Sequence, residues 1–155
     1  MRGRVGGVSD EPLSLALKAL EQKERTVAEM GSWLRARGVA PEETDEVIDR
    51  LIASEVLDDA RYARRYAEDK RQLKRWGSER IRAALLDRGI SPENAEGALG
   101  YADIDQEVER AVELLRDRDG SLSDALERQR ALGMLIRRGY DSEVAYEAIR
   151  RARRS

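Results

Sequence analysis

Across residues 61–88 ten basic side chains stand against four acidic ones, directly after a stretch, residues 42–59, that holds eight acidic residues and one basic residue, Arg50. Arginine dominates the basic set, and a guanidinium fork pairs at two points with phosphate or carboxylate oxygens. DNA phosphate and an acidic protein surface are the two partners such a segment could take. Set on a helix over residues 59–75 at about 100° per residue, Arg61, Arg64, Arg65, Arg71 and Arg75 fall within an arc of roughly 120°. Tyr62, Tyr66 and Leu73 fall opposite, and Glu68 is the main interruption. Lys74, Arg80 and Arg82 carry the basic run into the next helix. Charge runs on helices are commonly solvated faces, so the pattern alone leaves that reading open beside a binding face made of these eight residues.

Other chemistry is thin. The chain has no cysteine and no histidine, which removes disulfides, thiolate chemistry, zinc sites with N or S ligands and the commonest general base. Asp58-Asp59 could be a metal-ligand pair, but a helix cap ahead of Ala60 explains it better, since no third acidic partner or phosphate-binding loop accompanies it. Trp33 and Trp76 could stack bases, and Tyr62 and Tyr66 could touch a partner; packing between helices is the default for all four. Arg150, Arg151, Arg153 and Arg154 either balance a helix C-terminus or add a second basic patch. No Walker loop, dinucleotide fingerprint or nucleophile elbow occurs. The expectation is a non-enzyme with no cofactor and no metal.

The elements that position these residues are legible through an internal repeat. Leu34 leads to Arg37-Gly38-Val39, Leu85 to Arg88-Gly89-Ile90, and Leu135 to Arg138-Gly139-Tyr140, with Glu42, Glu93 and Glu143 each four positions after the glycine. Each glycine reads as the left-handed residue that ends a helix, and the preceding Arg suits the negative end of the dipole. Restart signals follow at Pro41, at Ser91-Pro92-Glu93 and at Asp141-Ser142-Glu143. Thr26 with Glu29 has the spacing of a capping box. Apolar residues recur at helical spacing: Leu13, Ala16, Leu17 and Leu20, then Val27, Met30 and Leu34, then Val47, Ile48, Leu51 and Ile52 in a first unit. A second unit uses Tyr62, Tyr66 and Leu73 with Ile81, Leu85 and Leu99, and a third uses Val108, Leu115, Leu135 and Ile149.

The fold expected is all-α: an elongated tandem array of three three-helix, helix-turn-helix-like modules, over residues 12–57, 58–102 and 103–155, after a flexible N-terminus of residues 1–11. Residues 116–124 read as a mobile charged loop. A chain that is 39% charged and 5% aromatic, without an apolar run of membrane-span length, is expected to be soluble and cytoplasmic.

In this order the features resemble the RecX family. The likeness rests on Ala16-Leu17-Lys18-Ala19-Leu20 with Lys23 and Thr26, on Leu34 with Arg37-Gly38, and above all on Leu57-Asp58-Asp59-Ala60-Arg61-Tyr62-Ala63 followed by a basic helix, Gly77, Arg80-Ile81 and Leu85 with Arg88-Gly89-Ile90. Lys23 and Arg25 stand where that family tends to have Arg and an aromatic, and Glu55 where a glycine often precedes the Asp-Asp turn. The resemblance implies a monomeric protein that binds RecA and lodges in the groove of the RecA–DNA filament. It would contact successive subunits, with single-stranded DNA as a further direct contact, and block extension or promote disassembly, so that RecA's ATPase, recombinase and coprotease activities fall. Two readings outside the family remain: a helix-turn-helix DNA-binding regulator, weakened by the acidic third helices (Glu42, Glu43, Asp45, Glu46; Glu93, Glu96), and a helical-repeat scaffold for another protein.

Overall fold

The structure, a computed structural model, describes residues 10–100, 103–118 and 120–154. These are 77% helical, with no strand among them. The helices are α1 (Asp10–Gln22), α2 (Val27–Ala36), α3 (Pro41–Ala53), α4 (Asp59–Asp69), α5 (Ser78–Asp87), α6 (Pro92–Leu99), α7 (Ile104–Asp117), α8 (Ala125–Arg137) and α9 (Ser142–Arg154). The expected flexible start lies outside the described residues for residues 1–9, while Asp10 and Glu11 already belong to α1. No described helix is long and apolar enough to cross a membrane.

Three separate cores follow the three repeats. Ala16, Met30, Leu34, Val47 and Leu51 join α1–α3; Ala63, Ala67, Ile81, Leu85 and Leu99 join α4–α6; Val108, Ala111, Leu135, Tyr140 and Ala148 join α7–α9. The main helix-on-helix packing lies inside each trio, which gives the molecule three bundles and not one core.

The repeated Leu-x-x-Arg-Gly pattern is a Schellman turn made three times. Val39 N–H donates to Leu34 O at 3.2 Å, Ile90 N–H to Leu85 O at 3.1 Å and Tyr140 N–H to Leu135 O at 3.1 Å. The glycines sit at φ +83°, +86° and +99°, the left-handed region that lacks a penalty only for glycine. In each turn the leucine and the residue after glycine meet in the same core, so one short motif both closes the orphan carbonyls and seals the bundle. A fourth such turn ends α3, where Val56 N–H reaches Leu51 O at 2.9 Å and Glu55 takes φ +63°. That conformation accounts for the glycine the RecX-like pattern has at this position.

The departure at Arg25 also has a physical reading. Its guanidinium lies 5.5 Å from the Trp33 ring, with Arg37 at 3.6 Å from the same ring, so two cations cover this indole.

Some expectations are corrected. The helix over residues 59–75 is not uniform: α4 ends at Asp69, Lys70–Lys74 forms a π-helical turn, and Arg75 turns left-handed at φ +54°. A wider turn changes the angular step per residue, so Leu73, placed in the second core by an even 100° step, is 78% exposed. Leu17 and Ile52 also face outward, at 40% and 45%. Residues 116 and 117 finish α7, and described residues of the expected mobile loop are held by their neighbours: Arg118 pairs with Glu127 at 3.2 Å, and Arg128 donates to the carbonyls of Leu122 and Ser123, both at 3.0 Å. Asp119 lies outside the described residues.

A Cβ built at Gly38 meets nothing within 4 Å, whereas one at Gly89 falls 2.4 Å from the Ala28 Cβ and one at Gly139 falls 2.3 Å from the Arg80 Cβ. Gly38→Ala is therefore expected to cost only the left-handed penalty, about 1–2 kcal/mol. Gly89→Ala and Gly139→Ala add a steric clash with the neighbouring module and should cost roughly twice that or more. Denaturant midpoints of the three variants check this ordering; equal losses would contradict it.

Candidate functional site

The eight basic residues singled out above lie around the second module, and the module joints determine what they do. Helix N-termini leave N–H groups without intrahelical acceptors. In α2 and α5 those groups are served from the next module along the chain. At the first joint, Val27 N–H donates to Asp59 Oδ1 at 2.8 Å, and the Thr26 hydroxyl donates to Arg88 O at 2.7 Å. Thr26 completes the expected capping box with Glu29. At the second joint, Gly77 N–H donates to Arg138 O at 2.8 Å, Glu79 N–H to Gly139 O at 2.9 Å, and Ser78 N–H to Glu107 Oε1 at 2.9 Å. Asp58 caps its own helix through Arg61 N–H at 3.0 Å. The Asp-Asp pair thus caps two helices in two modules, and among the described residues no acidic cluster is arranged to hold a metal.

Five of the eight basic side chains are spent on this framework. Arg65 spans the first joint to Glu24 at 2.7 Å. Arg75 spans the second joint to Asp117, an ion pair and hydrogen bond that push its pKa up. Arg80 lies over the Trp76 ring at 4.1 Å and donates to Arg137 O at 3.4 Å. Arg82 is held between Glu79, at 2.7 Å, and Glu96. Arg71 donates to Leu99 O at 2.8 Å, closing the end of α6; burial pushes its pKa down, and the nearby charge of Arg110 adds to the shift while Glu107 opposes it. Arg61 sits 3.9 Å from Asp58. Arg64 and Lys74 are exposed, with no carboxylate paired to them among the described residues.

The single stripe drawn on an even helix is therefore divided. Arg64, Arg71 and Arg75 gather with Arg110 in a cleft of about 610 Å³ on one side of the second joint. Lys74, Arg75 and Arg80 gather with Arg118, Arg138 and Trp76 in a cleft of about 650 Å³ on the other. Arg61, Arg65 and Arg82 line neither of them. Three contributors from the third module were missed. Arg110 is hidden in a helix whose charges are mostly acidic, and Arg118 in the loop read as mobile. Arg138 was read only as a dipole partner, although its place before the repeat glycine could have marked it, because the equivalent Arg88 also reaches across a joint, to Glu29 at 3.4 Å.

Of the four C-terminal arginines, Arg150 pairs with Glu147 at 2.6 Å, and Arg151 bridges Glu147 and Asp105 at 3.1 and 3.2 Å. Arg153 and Arg154 are exposed. Tyr62 and Tyr66 stack on each other with centroids 6.1 Å apart and pack on the second core, as the default reading has it.

Comparison with known proteins gives one consistent result. Family models described as the first, second and third three-helix domains of RecX match residues 13–51, 58–99 and 105–149. The proteins named regulatory protein RecX from Mycolicibacterium vanbaalenii and Mycobacterium ulcerans are 31% and 32% identical to this chain, each over 90% of it and over 81% and 83% of their own lengths. The crystal structure of RecX from Lactobacillus salivarius superposes with a TM-score of 0.82 at 22% identity, covering 92% of this chain and 95% of that one.

Glu107 is 4% exposed and holds both the Ser78 amide and hydroxyl. Glu107→Ala is expected to cost about 2–4 kcal/mol, because two donors and a buried cationic neighbourhood lose their acceptor. Glu107→Gln, which keeps an acceptor oxygen, should lose about half as much. Urea titration distinguishes the two; a neutral Glu107→Ala would remove this carboxylate from the joint.

Proposed function

The chain belongs to the RecX family, and on that premise we propose that it binds RecA and the RecA–DNA filament and lowers RecA's ATPase, recombinase and coprotease activities without catalysing a reaction itself. The observation that carries this reading is the match of all three RecX domains, in order, across one continuous array. Three small bundles in line offer a long surface and shallow clefts, which suits contact with successive subunits of a polymer. The exposed basic residues suit acidic protein patches and filament DNA alike. By this reading the protein acts as a cytoplasmic monomer and either blocks filament growth or promotes disassembly.

Base reading by the third helix of the first or second module is disfavoured electrostatically. The outward face of α3 presents Glu42, Asp45 and Asp49, and that of α6 presents Glu93 and Glu96, charges that phosphate repels.

The joints separate folding from binding. Arg61, Arg64 and Lys74 carry little of the framework, and exposed ion pairs contribute only about 0–1 kcal/mol to stability. The triple replacement by Ala is expected to keep the helicity and denaturant midpoint of the parent chain. It should weaken co-sedimentation with RecA assembled on single-stranded DNA by about tenfold or more, and reduce suppression of RecA's ATP hydrolysis in parallel. Measured at two salt concentrations, a contact dominated by phosphate gives a steep salt dependence that the triple variant flattens, while an acidic protein patch gives a shallower one. Inhibition at the parent level by the folded triple variant would refute this face.

A further inference from the structure

The cleft on the α7 side of the second joint contains charges that the protein leaves uncompensated. Arg71 and Arg110 are both half-buried, one from the π-helical turn of the second module and one from α7 of the third. The Nε atom of each is buried, with no hydrogen-bond partner among the described residues. The two guanidinium groups are close enough that the charge of Arg110 helps depress the pKa of Arg71. Arg71 spends one nitrogen on the neutral carbonyl of Leu99, and no carboxylate among the described residues is paired with Arg110. The carboxylate behind them, Glu107, is already engaged with the Ser78 amide and hydroxyl. Exposed Arg64 lines the same cleft with no ion pair or hydrogen bond among the described residues, and Arg75 lines it while paired with Asp117. Glu68 and Glu113, the acidic lining residues, are exposed.

Buried N–H donors without acceptors are costly, and like charges held together add to that cost. A planar guanidinium presents its Nε and Nη protons as a fork that fits an oxyanion. Three guanidinium groups without a carboxylate partner suit a phosphoryl group, with its several oxygens and up to two negative charges, better than a carboxylate with one.

We propose that this cleft is a phosphoryl-oxyanion site in which Arg71 and Arg110 are the principal ligands and Arg64 assists, and that its occupancy clamps the second and third modules together. The site draws ligands from both modules, so an anion that binds it bridges them and stabilises the joint by linkage. The phosphoryl group comes from a nucleic-acid backbone or from free phosphate or a nucleotide; the chemistry is shared. This goes beyond the filament reading and does not depend on it.

The test uses the full chain alone, without RecA. Its thermal midpoint is measured in inorganic phosphate and in chloride at matched ionic strength and pH. The parent protein is expected to rise by about 3–6 °C when phosphate reaches about ten times its dissociation constant. Arg110→Gln should abolish that rise, yet in chloride it should melt no lower than the parent, because one of two apposed charges is gone. A ten-residue thymidine oligonucleotide that displaces phosphate identifies the strand backbone as the source, and failure to displace it identifies free phosphate or a nucleotide; either result supports the site. Equal midpoints in phosphate and chloride, or a phosphate-dependent rise that survives Arg110→Gln, would overturn it. Both results are independent of filament inhibition, so failure here leaves the proposed function standing, and the reverse also holds.

Discussion

The fold depends on how two helix N-termini are satisfied. The helix starts of α2 and α5 draw acceptors from the module that follows and its Arg-Gly turn: the Val27 amide donates to Asp59 and the capping Thr26 hydroxyl to the Arg88 carbonyl, while the Gly77, Ser78 and Glu79 amides donate to Arg138 O, Glu107 and Gly139 O. A bundle of about 45 residues buries little apolar surface and is marginal alone. Tying its exposed donors to the next bundle makes neighbouring modules cooperate, as in other repeat arrays. The glycine in each such turn is needed twice, for the left-handed backbone and for the closeness of the neighbouring helix. In the third module the start of α8 is served differently. Asp124 caps it locally, accepting from Glu127 N–H at 2.8 Å, and the loop held by Arg118 and Arg128 packs around it.

This construction determines where charge is available. Arginine is abundant, yet much of it serves the joints: Arg65 and Arg88 at the first, Arg75, Arg80 and Arg138 at the second. What remains for a partner is a smaller set around the second module: Lys74 in one of the two clefts flanking the second joint, Arg64 with Arg71 and Arg110 in the other, and Arg61 outside both. Under the proposed function, contact with successive subunits of a long polymer gains from this arrangement. Stiff joints hold the contacts at fixed spacing, so less conformational freedom is lost on binding. The same clefts place binding groups where they report on the joint itself.

Much of this was legible in the sequence because it is local. The spacing of Gly38, Gly89 and Gly139, the capping box at Thr26 and the apolar stripes each follow from one helix at a time, and with the Asp-Asp segment they pointed to the RecX family and its three-module array. What stayed hidden depends on contacts between elements or on a break in helical regularity. The π-helical turn at Lys70–Lys74 has no simple compositional mark, and it moved Leu73 from the expected core to solvent and split the basic stripe. Asp59 looked like part of a local cap because its acceptor role lies in another module. Glu107 and Arg110 were indistinguishable from surface charges on a highly charged helix, since burial of an ionic residue comes from its neighbours and not from its own segment.

The helix starts of α2 and α5 are interior positions of a continuous array. Amide hydrogen exchange in the native protein measures this at single residues. First-turn amides at a free helix end exchange quickly, since water is their acceptor. The account predicts that Val27, Gly77, Ser78 and Glu79 are protected to within about tenfold of helix-interior amides such as Leu85, while Ala125 and Leu126 at the start of α8 exchange much faster. Fast exchange at all six positions would mean that the modules are independent bundles on a string, and would contradict the account.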